Sequence, residues 1–378
     1  MYVLRLGSLN RLEQELRRKG RWERLTGPRK PGADTIGRVL SQINCDDIRR
    51  LLAGANRTAW RSKSIHMDKS ACNKAARESY RVVAVDGHEL FSGKSRCCAQ
   101  CSTREVKDGD KLVVQYYHRV VVAQWVGVTP PGILDLEMVK PGEGEVVAAR
   151  RLVQRVFASY SRLVDVITAD AIYLEAPFIK LALKAGKHVV IVMKQENRDL
   201  FEDADRLRKL IEPRVIRDNG KTTRLWDMSN LTSFTTLDSQ VRVIWAEESS
   251  IKRRRVGGQW REQSCESTWV WVTDLPASSV PAPKIQKWGH DRWDIENRAF
   301  NELAAHWHAD HCYKHNINAI EALLLILALA FLFTYLFYER NLKPESRRYL
   351  TRFALAARFM EGFAQPDDTT LWASLRPG

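Results

Sequence analysis

The stretch Arg81-Val82-Val83-Ala84-Val85-Asp86 is an apolar run of β-branched residues and alanine closed by an acid. Such a run fits a strand covered on both faces, as in a sheet with helices packed against it. A second run, Leu163 to Ala169, ends in the same way on Asp170. Between them, Leu112–Val122, Ala123–Val128 and Ile133–Met138 read as an antiparallel meander, and Pro141-Gly142 breaks it. Glu143–Tyr160 then reads as a helix, followed by a helix near Tyr173–Lys184, a strand at His188–Met193 and a helix near Arg198–Leu210. Three strands followed by alternating helix and strand predict an α/β (α+β) fold, a mixed sheet flanked by helices.

Outward from that core the pattern changes twice. Thr222–Asp227, Val241–Glu247 and Ser267–Thr273 read as strands, with Lys252-Arg253-Arg254-Arg255 as a basic loop between them, so 213–280 is expected to be a β-rich insertion. After Pro281 and Pro283 helices return, at about 291–311 and 317–340. Ahead of the core, 8–26, 34–43 and 46–52 read as short basic helices separated by Gly27-Pro28 and Pro31-Gly32. The expected organisation is a basic helical DNA-binding module at 1–79, core at 80–212, insertion at 213–280, core helices at 281–340 and a helical tail at 341–378 suited to pairing subunits.

The 378 residues carry 60 Lys or Arg against 45 Asp or Glu, a formal net charge of +15. Nine of those net charges fall in residues 1–63, which points to a polyanionic partner and places its footprint at that end. Arg49, Arg50, Arg57 and Arg61 are the expected contacts there, joined by Lys252 to Arg255. Seven cysteines at irregular spacing argue against a disulfide framework and for a reducing cytoplasm; the first residues form no apolar signal segment. Ala322–Tyr338 holds no charge and is at the lower limit for a membrane span. A buried core helix is the expected reading, and a membrane anchor the alternative.

Asp86 and Asp170 close two buried strands, and acids at carboxyl ends of strands are where open sheets place their chemistry. Glu296 lies four residues after Arg292, on one face of the helix expected at 291–311. Three convergent carboxylates suit two Mg²⁺ (or Mn²⁺) ions acting on a phosphodiester. Cys98 and Cys101 form a CxxC that offers two zinc ligands, with His88 and His118 the nearby candidates to complete a site; the alternative is structural cysteines in a loop, since no second ligand pair stands at clear spacing. The cluster His306, His308, His311 and His315 is expected to pack or to contact phosphate rather than to cage a metal.

Val85-Asp-Gly-His-Glu-Leu90, Thr168-Ala-Asp-Ala-Ile-Tyr173 and Arg292-Trp-Asp-Ile-Glu-Asn-Arg-Ala-Phe300 resemble the motifs of DDE transposases, over about residues 34–345. More narrowly, they resemble those of bacterial cut-and-paste insertion sequences of the insertion-sequence-4 group. The resemblance implies an RNase-H-like core with a β-strand insertion, and Asp86, Asp170 and Glu296 as metal-binding and catalytic residues. It further implies double-stranded DNA, both element ends and target, as partner, and a homodimer in the synaptic complex. Arg292 would bind phosphate or orient the acid, Arg298 or His306 would take over a phosphate contact unless it is lost, and Trp269, four residues before Thr273, would stack on a flipped base or simply pack on Trp271. Relatives carry Tyr and Lys where this chain has Gly289 and Leu303, which keeps open an alternative: a DNA-binding relic or repressor without activity.

Overall fold

The computed structural model describes residues 1–18, 30–67, 80–96, 98–194, 198–218, 220–256 and 259–364. In chain order the first helices are α1 (Leu9–Arg17), α2 (Ala33–Leu40) and α3 (Cys45–Arg61). Strands β1 (His66–Met67), β2 (Val82–Gly93), β3 (Ser102–Asp108), β4 (Lys111–Val126), β5 (Val128–Thr129) and β6 (Ile133–Met138) follow, then α4 (Glu145–Tyr160). Next come β7 (Val166–Ala169), α5 (Ala176–Lys184), β8 (His188–Val192), α6 (Arg198–Arg208), β9 (Arg214–Asp218), β10 (Lys221–Leu231), β11 (Val241–Val256) and β12 (Gln259–Thr273). The chain ends in α7 (Ala282–Asp291), α8 (Asn301–Trp307), α9 (Ile317–Asn341), α10 (Pro344–Tyr349) and α11 (Arg352–Ala364). The expected helix at 8–26 is seen as α1, and its remainder from 19 lies outside the described residues.

The chain divides into two compact units, and β2 contributes to both: one holds 1–77, 87–160 and 294–378, the other 78–86 and 161–293. In the first, β4 lies between β2 and β3, and β6 pairs antiparallel with β4. In the second, the order is β2, β7, β8, β12, β11, β10, β9, with β2–β7 and β7–β8 parallel and the rest antiparallel. An antiparallel meander followed by two parallel additions beside its first strand is RNase-H-like connectivity, and β9–β12 supply the β-rich insertion. The insertion strands are longer than the sequence pattern predicts, and β9 is additional.

Helix α3 shows why the basic amino-terminal charge must be read in three dimensions. Asn44 caps it, its side chain accepting from the Asp46 amide at 3.0 Å, and Asp46 and Asp47 favour the positive end of the helix dipole. Cys45, Ile48, Leu52, Asn56 and Ala59 recur at helical spacing and are buried. Arg49 sits beside that stripe, 15% exposed, with Nε 3.1 Å from Asp135 and further ion pairs to Asp46 and Glu321. Arg155 approaches the other Asp135 oxygen at 2.9 Å. Asp135 lies on β6, which is buried along its length, so the two arginines are what allow the strand to carry charge inward. Arg50 instead stands in water, paired with Asp47, and Arg57 donates to the Ser159 carbonyl at 3.1 Å.

Helix α9 is apolar all round, and it is long and apolar enough to cross a membrane by length and composition. Ala319, Leu323, Leu327, Phe331 and Tyr335 are among its buried residues. Asn316 caps its start at 3.1 Å from the Ala319 amide, and Asn318 donates to the carbonyls of Leu40 and Ile43 at 3.1 and 2.8 Å.

Replacing Arg49 by Ala leaves Asp135 and Glu321 short of a cation and should cost about 3 kcal/mol of unfolding free energy. Arg50→Ala should change it by under about 0.5 kcal/mol. Denaturant titration of the two variants side by side measures the difference.

Candidate active site

The site begins with strand register. Val82, Val83, Ala84 and Val85 align in parallel with Val166, Ile167, Thr168 and Ala169, and all eight are buried. Asp86 and Asp170 are therefore the next residue on each of two neighbouring strands. Asp170 stands at the N-cap of a short 3₁₀ turn, Ala171–Tyr173, yet its side chain makes no capping hydrogen bond. It lies 33% exposed with Lys194 Nζ 3.6 Å from its Oδ2. Asp86 receives a hydrogen bond at 2.8 Å from Nη1 of Arg292, whose side chain is only 7% exposed. A guanidinium so buried beside a carboxylate is a fixed counter-charge, which holds the acid in one orientation.

Lys194 was not singled out by the sequence. Its signal lies in the sheet: Met193 donates its amide to the Val270 carbonyl at 2.8 Å, extending the β8–β12 pairing by a residue. One step further along each strand are Lys194 and Trp269.

Trp269 and Trp271 share a face of β12 with centroids 6.2 Å apart and planes 13° from parallel. His290 of α7 meets both edge-on, at 5.4 and 5.1 Å, and Trp293 meets Trp269 at 5.3 Å. Trp269 thus packs on Trp271, while remaining partly accessible. Trp271 is fully buried and lies against Gly289, where an added Cβ would come within 2.1 Å of the indole Nε1. The tyrosine that the resemblance places at this position has no room in this chain. Behind His290, buried Glu248 accepts from His290 Nε2 at 2.8 Å and Gln286 Nε2 at 2.6 Å, and pairs with Lys221 Nζ at 2.8 Å. Burial alone would raise the Glu248 pKa, but the hydrogen bonds from His290 and Lys221 outweigh it and hold the carboxyl down to about 2.

The helix expected over 291–311 is not continuous. α7 ends at Asp291, Glu296–Phe300 forms a π-helical turn, and α8 stops at Trp307 because His308 takes a left-handed conformation with φ 56°. The wider turn lets Ala299 and Phe300, adjacent in sequence, both be buried. Glu296 opens that turn, half-buried, in the larger unit, whereas Asp86, Asp170 and Arg292 come together in the smaller one. Arg298 is 45% exposed and 3.6 Å from Asp294. Leu303 is buried, so the position where relatives carry Lys faces the interior here.

The remaining expected contacts separate. Lys252 to Arg255 lie within strand β11 rather than in a loop, because the β11–β12 hairpin continues to the Val256–Gln259 pair. Arg253 pairs with Glu262 across it at 3.1 Å. Arg61, like Arg50, is exposed, whereas Arg49 and Arg57 are engaged within the fold. Cys98 and Cys101 come together with His118 and with His315, not with His88, which stacks on Phe300 at 4.5 Å. His306 packs on Phe353, His308 reaches the Arg5 carbonyl and His311 packs on Tyr313.

A family model for the transposase DDE domain matches residues 77–333. The chain belongs to the DDE transposase family. Its matched region contains Asp86, Asp170, Arg292 and Glu296. Among solved structures, a piggyBac transposase in a cryo-EM synaptic complex with hairpin DNA is similar at 11% identity and a TM-score of 0.43, over 100% of this chain and 83% of that one. No curated protein matches the chain.

Gly289→Ala should destabilise the protein by about 1–3 kcal/mol through overpacking. Because the clash is with one indole, a Trp271→Leu, Gly289→Ala double variant should lose less than the sum of the single losses, as denaturant unfolding of all four cycle members would show. Glu248 titrates lower in the folded chain than in the unfolded one, so its stabilisation is fully present above the unfolded value, about 4.5, and disappears as pH falls toward about 2. Glu248→Gln should therefore cost about 2 kcal/mol at neutral pH and progressively less on acidification across that window. Unfolding midpoints measured from pH 7 to pH 2 test the trend.

Proposed function

We propose that this protein is a divalent-metal-dependent DNA transposase of a bacterial cut-and-paste insertion sequence, cleaving the element's ends and joining them to target DNA. The observation that carries this reading is the pair of aspartates that follow the paired residues of two neighbouring parallel strands, Asp170 just past the end of β7 and Asp86 within β2, which continues to Gly93 rather than closing on the acid, with Asp86 fixed by buried Arg292. Glu296, four residues along the chain from Arg292, is proposed as the third carboxylate.

These donors are all hard oxygens, which fit Mg²⁺ or Mn²⁺. Bound there, the ions would supply activation of the attacking oxygen and neutralisation of the leaving one. The protein's own part is orientation and charge. Arg292 keeps Asp86 pointed and its charge compensated. Lys194, 56% exposed beside Asp170, adds a mobile cation at the strand ends where a DNA phosphate would approach. Trp269 offers an accessible aromatic edge one sheet position from Lys194, suited to a base displaced from the stack. Exposed Arg50, Arg61, Arg253 and Arg298 extend a field for the duplex. Double-stranded DNA is the proposed partner, with two copies of the chain bridging the element ends in the cytoplasm, at the nucleoid.

The test uses purified full chain and the DNA that borders its gene. Wild type with Mg²⁺ should nick at the element ends, whereas Asp86→Asn, Asp170→Asn and Glu296→Gln should each cut at least about a hundredfold more slowly while still binding. Undiminished cutting by any one variant removes that residue from the site. Specific binding without cutting by the wild type would favour the inactive DNA-binding reading that Gly289 and Leu303 suggest.

A further inference from the structure

Cys98 and Cys101 bracket a tight turn in which the Cys101 amide donates to the Cys98 carbonyl at 3.3 Å, bringing the two sulfurs to 3.6 Å. His118, on β4, turns Nε2 to both, at 3.3 Å from Cys98 Sγ and 3.6 Å from Cys101 Sγ. The fourth group arrives from far along the chain: His315 Nε2 lies 3.4 Å from Cys101 Sγ and 3.1 Å from His118 Nε2. We propose that Cys98, Cys101, His118 and His315 bind one structural Zn²⁺, separate from the carboxylate site.

The distances carry the assignment. Zinc bonds of about 2.3 Å to sulfur and about 2.05 Å to nitrogen, set tetrahedrally, separate two sulfurs by about 3.8 Å, two nitrogens by about 3.3 Å and unlike pairs by about 3.6 Å. The observed separations of 3.6 Å, 3.1 Å and 3.3–3.6 Å match those values or fall short of them by no more than about 0.3 Å. A Cys98–Cys101 disulfide would need the sulfurs at about 2 Å. All four donor atoms lie within 4.8 Å of one another, around a common centre.

The surroundings agree. His118 is 1% exposed and its Nδ1 has no hydrogen-bond partner among the described residues, so only Nε2 directs the ring, and it points inward. Phe91 packs edge-on against both imidazoles at 5.5 Å, covering one side of the group. A two-sulfur, two-nitrogen tetrahedron selects zinc among common divalent ions. Binding breaks the two S–H bonds and releases both protons to solvent. The resulting thiolates neutralise the ion, so no net charge is buried, and no electron is transferred.

The consequence is a cross-link. His315 precedes Asn316, the cap of α9, while the cysteines sit in the turn that leads into β3 and His118 lies on β4, its partner strand in the hairpin. Zinc would thus tie that hairpin to the start of the most apolar helix in the chain, across 197 residues of sequence.

Full-length protein expressed in zinc-replete medium should retain about one zinc per chain after chelator-washed gel filtration, by elemental mass spectrometry, and Cys101→Ser or His315→Ala should lower that at least about fivefold. His315→Cys restores a ligand and should retain the ion. Should the loss variants prove insoluble, Co²⁺ loaded into stripped wild type should show ligand-field and thiolate charge-transfer bands of a tetrahedral site, with the thiolate bands strengthened in His315→Cys. Wild type that holds no zinc and gives no such bands overturns the proposal, as does full zinc content in Cys101→Ser. Thiols that react only after reduction, marking a Cys98–Cys101 disulfide, overturn it too.

Discussion

The parallel pairing of Val82–Val85 with Val166–Ala169 is the constraint on which the site depends. Side chains alternate along a strand, so a slip of one residue would turn either aspartate to the opposite face of the sheet. The pairing resists such slippage because every one of its residues is buried, and no register exposes fewer apolar groups. Arg292 adds a second lock. Its bond to Asp86 joins the end of α7 to the strand, and breaking a pair so buried leaves the survivor uncompensated. Stability and orientation of the acid are therefore one property here.

The insertion extends the same logic sideways. β12 pairs with β8, and Arg242, 3% exposed, donates to Asp227 from Nε and Nη2, each at 2.7 Å, while Nη1 donates to the Leu275 and Val280 carbonyls. One guanidinium thereby ties two insertion strands to the segment that leads into α7. The helix that carries Arg292 is positioned by the insertion it follows, which connects a seemingly peripheral sheet to the orientation of Asp86.

The strands, the two aspartates and the β-rich insertion could be read from sequence because burial on a sheet leaves a short-range pattern of β-branched residues and punctuation. The helix expected over 291–311 could not. Its π turn and the left-handed His308 are set by packing of Ala299, Phe300 and Trp307, and no residue there announces a break. Composition does not sort basic residues by environment: Arg49 and Arg50 are neighbours, one enclosed by acids and the other in water, and the difference is made by β6 and α9. His315 was hidden for a third reason, since its partners lie about two hundred positions upstream and spacing carries no information over that range. Lys194 follows a strand of ordinary appearance, and only the extra β8–β12 hydrogen bond reveals its neighbour.

The contact between Gly289 and Trp271 has a consequence for how this sequence can change over generations. With the indole in place, any side chain at 289 meets it, and with a large residue at 289 the indole has nowhere to go. The two positions are thus an epistatic pair: each restricts which substitutions at the other a functioning ancestor could have survived. A phenol at 289 is reachable only together with a smaller residue at 271. The packing of one indole, and not the reaction alone, therefore limits what this part of the chain can become.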